Sequence, residues 1–168
     1  PAALGGGGRL GARLGPQGNK SAMKVRGIEG ALVDHGPIKI TSLESCDQRT
    51  HMIEVAGPSA LFVSKVLKVA ERTGGDIRRQ DNKDAFDIFR LLRSVKTLKL
   101  AAGIKILLGN ELSSDITSEA VARFKDFFWD RTNPGVQMVV DHIKGIEPED
   151  IISASCVALS QDLIKSLE

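Results

Sequence analysis

Two successive helical patterns in this chain carry charges beside or inside their apolar faces. The first follows Gly57-Pro58 and contains Lys65, Lys68 and Arg72; the second runs from about Asn82 to Val95 and contains Lys83, Asp84 and Asp87. A charge turned toward a core is costly unless it is paired or used. These two segments therefore restrict the fold more than any other part of the sequence, because they must be placed so that their charges meet partners.

The rest reads as ordinary scaffold. The 168 residues suffice for one domain with a proper core, and 42% hydrophobic and 26% charged residues are usual for a globular chain. A formal net charge of +2 calls for neither nucleic acid nor a membrane. Residues 1–30 are nonetheless basic, with Arg9, Arg13, Lys20, Lys24 and Arg26 against Glu29 alone. They form a solvated basic loop or, as a weaker reading, an RNA contact. No apolar run reaches membrane-spanning length, and no signal-peptide pattern is present. Cys46 and Cys156 lie far apart without metal-site or redox spacing, which fits a reduced, cytoplasmic chain.

Glycine density over residues 1–27 disfavours regular structure. Beyond it the texture changes. Gly30–Asp34 is a short strand candidate, and Ile38–Leu43 alternates as a half-buried strand does. Thr50–Val55 is a further strand, and short connections favour antiparallel neighbours. Pro58 suits the first turn of a helix that ends at Thr73-Gly74-Gly75. A second helix follows, capped by Asp81. Further helices are expected over about 98–108, from Ser114 or Asp115 to Trp129, over 136–144 after the Asn133-Pro134-Gly135 break, and from Pro148 onward. The last should bury Ile151, Ile152, Cys156, Leu159 and Leu163. The expected fold is α+β, a small antiparallel sheet followed by a helical bundle. Residues 1–57 supply the glycine-rich loop and strands, and 58–168 the helical domain.

Several superficial motifs lack their physical context. Gly6–Gly11 spells G-x-G-x-x-G with no strand before it. Gly15–Ser21 resembles a P-loop but has Asn19 where glycine precedes the lysine. His35, His51 and His142 are not spaced to gather a metal. Phe124, Phe127, Phe128 and Trp129 wrap one helix end, as core or as a contact for a protein partner.

On a helical wheel, Phe62, Val66, Val69 and Ala70 share an arc with Val63 and Leu67, and Lys65 lies closest to it. Ile88, Leu91, Leu92 and Val95 mark the buried arc of the second helix. Asp84 falls inside that arc and Asp87 on its edge. Local readings exist for each: Lys65 snorkels, and Asp84 favours the helix dipole. The alternative joins them, with Asp84 and Asp87 facing Lys65 across the helix pair and Arg78 and Arg79 in the loop between. Such a mainly cationic wall suits a triphosphate or another polyanion. As an edge residue, Lys65 is expected to be removable with little loss of stability.

The run Val55–Leu61 through Lys65, then Arg72, then Lys83-Asp84-Ala85-Phe86-Asp87-Ile88, resembles the helical half of AbiEii-type bacterial nucleotidyltransferases. Lys65 matches the family's lysine, and Lys83, Asp84 and Asp87 match its [RK]-D-x-x-D motif. The similarity covers roughly residues 20–95, with Gly27–Asp34 matching the strand region before those motifs. It implies transfer of a nucleoside monophosphate from an NTP (ATP, GTP, CTP or UTP) to an acceptor. It also implies that Lys65 contacts phosphate, that Asp84 orients Lys65 or a catalytic acid, and that Asp87 holds Lys83 or the loop arginines. The family's centre further requires Gly-Ser followed by Asp-x-Asp to hold Mg²⁺. No such motif occurs in the 168 residues. The expectation is a C-terminal portion that neither binds Mg²⁺ nor transfers nucleotides unless another segment supplies the acids. The alternative is a non-catalytic interaction module on the same fold, using its aromatic helix end.

Overall fold

A computed structural model of the chain describes residues 25–73 and 82–168. The Gly6–Gly11 and Gly15–Ser21 patterns, the basic run up to Lys24, the loop arginines Arg78 and Arg79, and the expected cap Asp81 lie outside the described residues.

The described chain enters through a glycine turn. Gly27 has φ of +84°, a left-handed conformation that glycine adopts without strain, and its N–H donates to the Glu29 carboxylate at 2.8 Å. The expected strand over Gly30–Asp34 is not formed. Glu29–Leu32 is a single 3₁₀ turn instead, closed by Val33 N–H donating to Gly30 O at 3.0 Å. The reason lies in packing. Gly30 abuts Ala60, where an added Cβ would come within 3.4 Å of the helix backbone, and a tight turn gives that approach.

The turn delivers Asp34 to the start of the next helix, and there follows an antiparallel hairpin of β1 (His35–Thr41) and β2 (Thr50–Ala56). Ile38 pairs with Ile53, Ile40 with His51 and Gly36 with Val55, so these side chains share one face. The alternation in Ile38–Leu43 predicts that this face is covered. It is not covered by any described residue: Ile38, Ile40 and Ile53 are 51%, 46% and 43% exposed. The edges differ as well. Gly57 N–H to Asp34 O and Ser42 N–H to Arg49 O fix the parity of the ladder, which places the ring nitrogen of Pro37 on the outer edge of β1. That edge lacks a donor in its middle, whereas β2 keeps its full outer set.

Six helices follow among the described residues: α1 (Pro58–Thr73), α2 (Lys83–Ser94), α3 (Thr97–Leu108), α4 (Ser114–Phe128), α5 (Pro134–Ile143) and α6 (Glu149–Leu167). The fold is thus α+β, a small antiparallel sheet followed by a helical bundle. Helix α1 is central and packs on α2, α3 and α4, while α5 and α6 close the far side. Its expected apolar stripe is buried, with Phe62, Val63, Val66, Leu67 and Val69 in the core. Phe62 meets Phe124 edge-on at 4.9 Å, and Phe124 stacks on Phe128 at 5.1 Å.

Three details differ from expectation. Helix α5 begins at Pro134 rather than Val136, because proline fits the first turn and Gly135 lets the helix approach Phe128, where a Cβ would be 2.6 Å from the ring. Ile151 is 57% exposed; only Ile152, Cys156 and Leu163 of its set are fully buried, with Leu159 partly so. Phe124 and Phe128 are wholly buried, so they belong to the core and cannot touch a partner. Phe127 is half-buried, and Trp129 alone of the group is exposed. No helix among the described residues is long and apolar enough to cross a membrane.

Candidate functional site

The site begins with how α1 is held. The Asp34 carboxylate accepts the N–H groups of Ser59 and Ala60 through Oδ2, at 2.8 and 2.9 Å. It satisfies two of the donors that a helix start leaves open. Gly57 is required beneath it, since a Cβ there would lie 1.9 Å from Asp34 Oδ1. In the sequence Asp34 reads as a strand end, and this role is not expected there. Its only signal was an acid preceding a Gly-Pro helix start across a hairpin.

This anchoring sets the rotation of α1 and so the position of Lys65. Its Nζ donates to Asp84 Oδ1 and to Asp87 Oδ2, each at 2.7 Å. The expected meeting of Lys65 and Asp84 across the helix pair is therefore present. Arg72, two turns further along α1, places Nη1 2.6 Å from Asp84 Oδ2, an ion pair outside hydrogen-bond alignment at that oxygen. Asp84 is 7% exposed and so lies between two cations in a nearly dry setting. Asp87 is more open, and its second oxygen lies 3.8 Å from Arg90, one turn along α2.

The electrostatics follow the geometry. Burial is the largest influence on Lys65 and pushes its pKa down. The hydrogen bonds and charges of Asp84 and Asp87 together outweigh it, so the pKa ends above the ordinary lysine value. Lys65 is a fixed ammonium. It is not an edge lysine free of structural work, as its wheel position suggested, because it ties α1 to α2 through two carboxylates. Asp87 Oδ2 is on Lys65, while the loop arginines Arg78 and Arg79, which the resemblance gave it as partners, lie outside the described residues. Lys83 opens α2 beside Asp84.

A groove of about 410 Å³ opens beside the cluster, lined by Leu61, Lys65, Asp87, Arg90, Leu91 and Ser94. That volume lies within the usual range for small-molecule sites, about 300–1,000 Å³. Its lining combines the charged Lys65, Asp87 and Arg90 with the apolar Leu61 and Leu91. Arg90 is legible only as the i+3 neighbour of Asp87, Leu61 only as the end of the Val55–Leu61 run, and Ser94 carries no signal.

The described residues do not fit Mg²⁺. No three His, Cys, Asp or Glu side chains among them gather as a metal requires. Asp84 and Asp87 are engaged by Lys65 and Arg72, so a divalent cation between them would meet an ammonium and a guanidinium. His35 instead contacts Glu54 at 2.8 Å on the hairpin, and His142 stacks on Phe86 at 4.8 Å.

Comparison of the chain with protein-family models, with curated proteins and with solved structures finds no match.

Proposed function

We propose that this chain is the nucleotide-binding helical portion of an AbiEii-like nucleotidyltransferase, taking an NTP in the groove between α1 and α2. The supporting observation is the seating of Lys65 between Asp84 and Asp87 at the rim of that groove, with Arg90 on its wall. Lys65 and Arg90 offer positive charge to a polyphosphate, and Leu61 and Leu91 offer apolar surface to a base. Asp84, held by Lys65 and Arg72, is a positioning residue that keeps Lys65 at the rim. The outer edge of β2, unpaired among the described residues, supports the same reading, since a nucleotidyltransferase sheet extends beyond two strands. Transfer of a nucleoside monophosphate requires metal-binding acids beyond those described here, and no catalytic step is assigned to these residues. A cytoplasmic setting accords with two free cysteines.

Titration of the chain with ATP, GTP, CTP and UTP tests the reading. Saturable binding that weakens in Lys65→Ala supports it; absence of binding for all four contradicts it. The second reading, a non-catalytic interaction module on the same fold, is favoured by the exposed isoleucine face and by Trp129. It predicts no NTP binding at all.

A further inference from the structure

Two of the three N–H donors of the Lys65 ammonium are taken at 2.7 Å by Asp84 and Asp87, so a phosphate reaching the third meets the Asp87 carboxylate charge beside it. The two carboxylates are not equivalent. Asp84 sits deeper, with a side chain 10% exposed, and faces both Lys65 and Arg72, so moving it would break two close ion pairs at once. Asp87 is twice as exposed, lines the groove itself, and has a second cation within reach, Arg90 at 3.8 Å. Turning away from Lys65 costs Asp87 least, because Arg90 remains on its other side.

We propose that Asp87 is an exchangeable counter-ion that occupies the anion position at Lys65 until a polyphosphate displaces it. Asp84 stays in place throughout, and Asp87 shifts from Lys65 to Arg90. The proposal rests on the nucleotide reading above and adds to it a selectivity. A single weakly charged anion gains little against the charge of Asp87, whereas a polyphosphate, with several oxygens for Lys65 and Arg90, gains enough to displace it. The groove thereby favours polyphosphates over carboxylates and chloride.

The test is calorimetric titration of the full chain with inorganic tripolyphosphate and, separately, with ATP, GTP, CTP and UTP. Asp87→Asn removes the competing charge at nearly constant shape. It should bind tripolyphosphate about tenfold tighter than wild type, the order expected from deleting one like charge close to the ligand. It should also begin to bind acetate, which wild type does not. Asp87→Glu should restore wild-type affinity. In the wild-type chain, amide shifts on adding tripolyphosphate should be larger at Asp87 and Arg90 than at Asp84; this measurement needs no variant to fold. If wild type binds an NTP and Asp87→Asn leaves the affinity unchanged or lowers it, the exchange is wrong and the nucleotide reading stands. If neither chain binds tripolyphosphate or any of ATP, GTP, CTP and UTP, both are wrong.

Discussion

Lys65 Nζ lies 2.7 Å from Asp84 Oδ1, joining the middle of α1 to the first turn of α2. The pair is cross-braced, because Asp84 also meets Arg72 and Lys65 also meets Asp87. Breaking it from the acidic side removes a buried carboxylate charge that faces both Lys65 and Arg72. Asp84→Asn should therefore cost about 3 kcal/mol, the lower end of the range for opening a buried pair. Asp87→Asn, at a more exposed position, should cost no more than about 1 kcal/mol. Chemical denaturation of both variants checks the order; equal losses would show that burial does not set the cost.

The raised pKa of Lys65 has a consequence in alkali. A lysine whose folded pKa lies above its unfolded value contributes stability that is complete below the ordinary value of 10.5 and is lost as pH rises through the folded value. Lys65→Met should be less stable than wild type by about 2 kcal/mol near neutral pH, below the full cost of a buried pair because Arg72 still faces Asp84. The gap should narrow only above the ordinary lysine pKa. Denaturation curves from neutral to strongly alkaline pH would show this, and a gap that closes already in mild alkali would count against the ion pairs.

Asp34 should behave as a helix cap despite its distance in sequence. Asp34→Ala frees the N–H groups of Ser59 and Ala60 and should cost about 1 kcal/mol, within the range for losing a cap. Gly57→Ala should cost more, because its Cβ would overlap the Asp34 carboxylate. The double variant should lose less than the sum of the two, as residues in contact do. Thermal melts of the three proteins decide the matter, and strict additivity would contradict the contact.

The two cysteines should separate cleanly. Burial pushes the Cys156 thiol up to about 12, with Ser160 opposing only in part, while Cys46 is exposed in the hairpin turn. A thiol reagent at neutral pH should modify Cys46 at once and Cys156 only on unfolding. Rapid modification of two thiols in the native protein would place α6 elsewhere.

How much of this was legible in the sequence follows from the physics of each element. The helices were readable because their apolar stripes and breakers are local, and Asp84 stood out because a carboxylate inside an apolar arc demands a partner. The partner's identity was narrowed by the same logic applied to Lys65. The strand expected at Gly30–Asp34 failed because Gly30 is small for the sake of contact with Ala60, which no local pattern reveals. The cover expected over Ile38 and Ile40 was read from alternation alone, and alternation says which face is apolar without saying what meets it. The groove's lining was not readable, because Leu61, Arg90 and Ser94 converge only once α1 and α2 are packed.

The most direct test of the central claim is calorimetric titration of wild type and Lys65→Ala with ATP, GTP, CTP and UTP, beside thermal melts that confirm both are folded. If Lys65 meets phosphate, wild type binds and the variant loses about 1–3 kcal/mol of affinity, the range for one charge-assisted hydrogen bond. Equal affinity in the folded variant, or no binding by wild type to any of the four NTPs, would contradict the assignment of the groove between α1 and α2 as a nucleotide site.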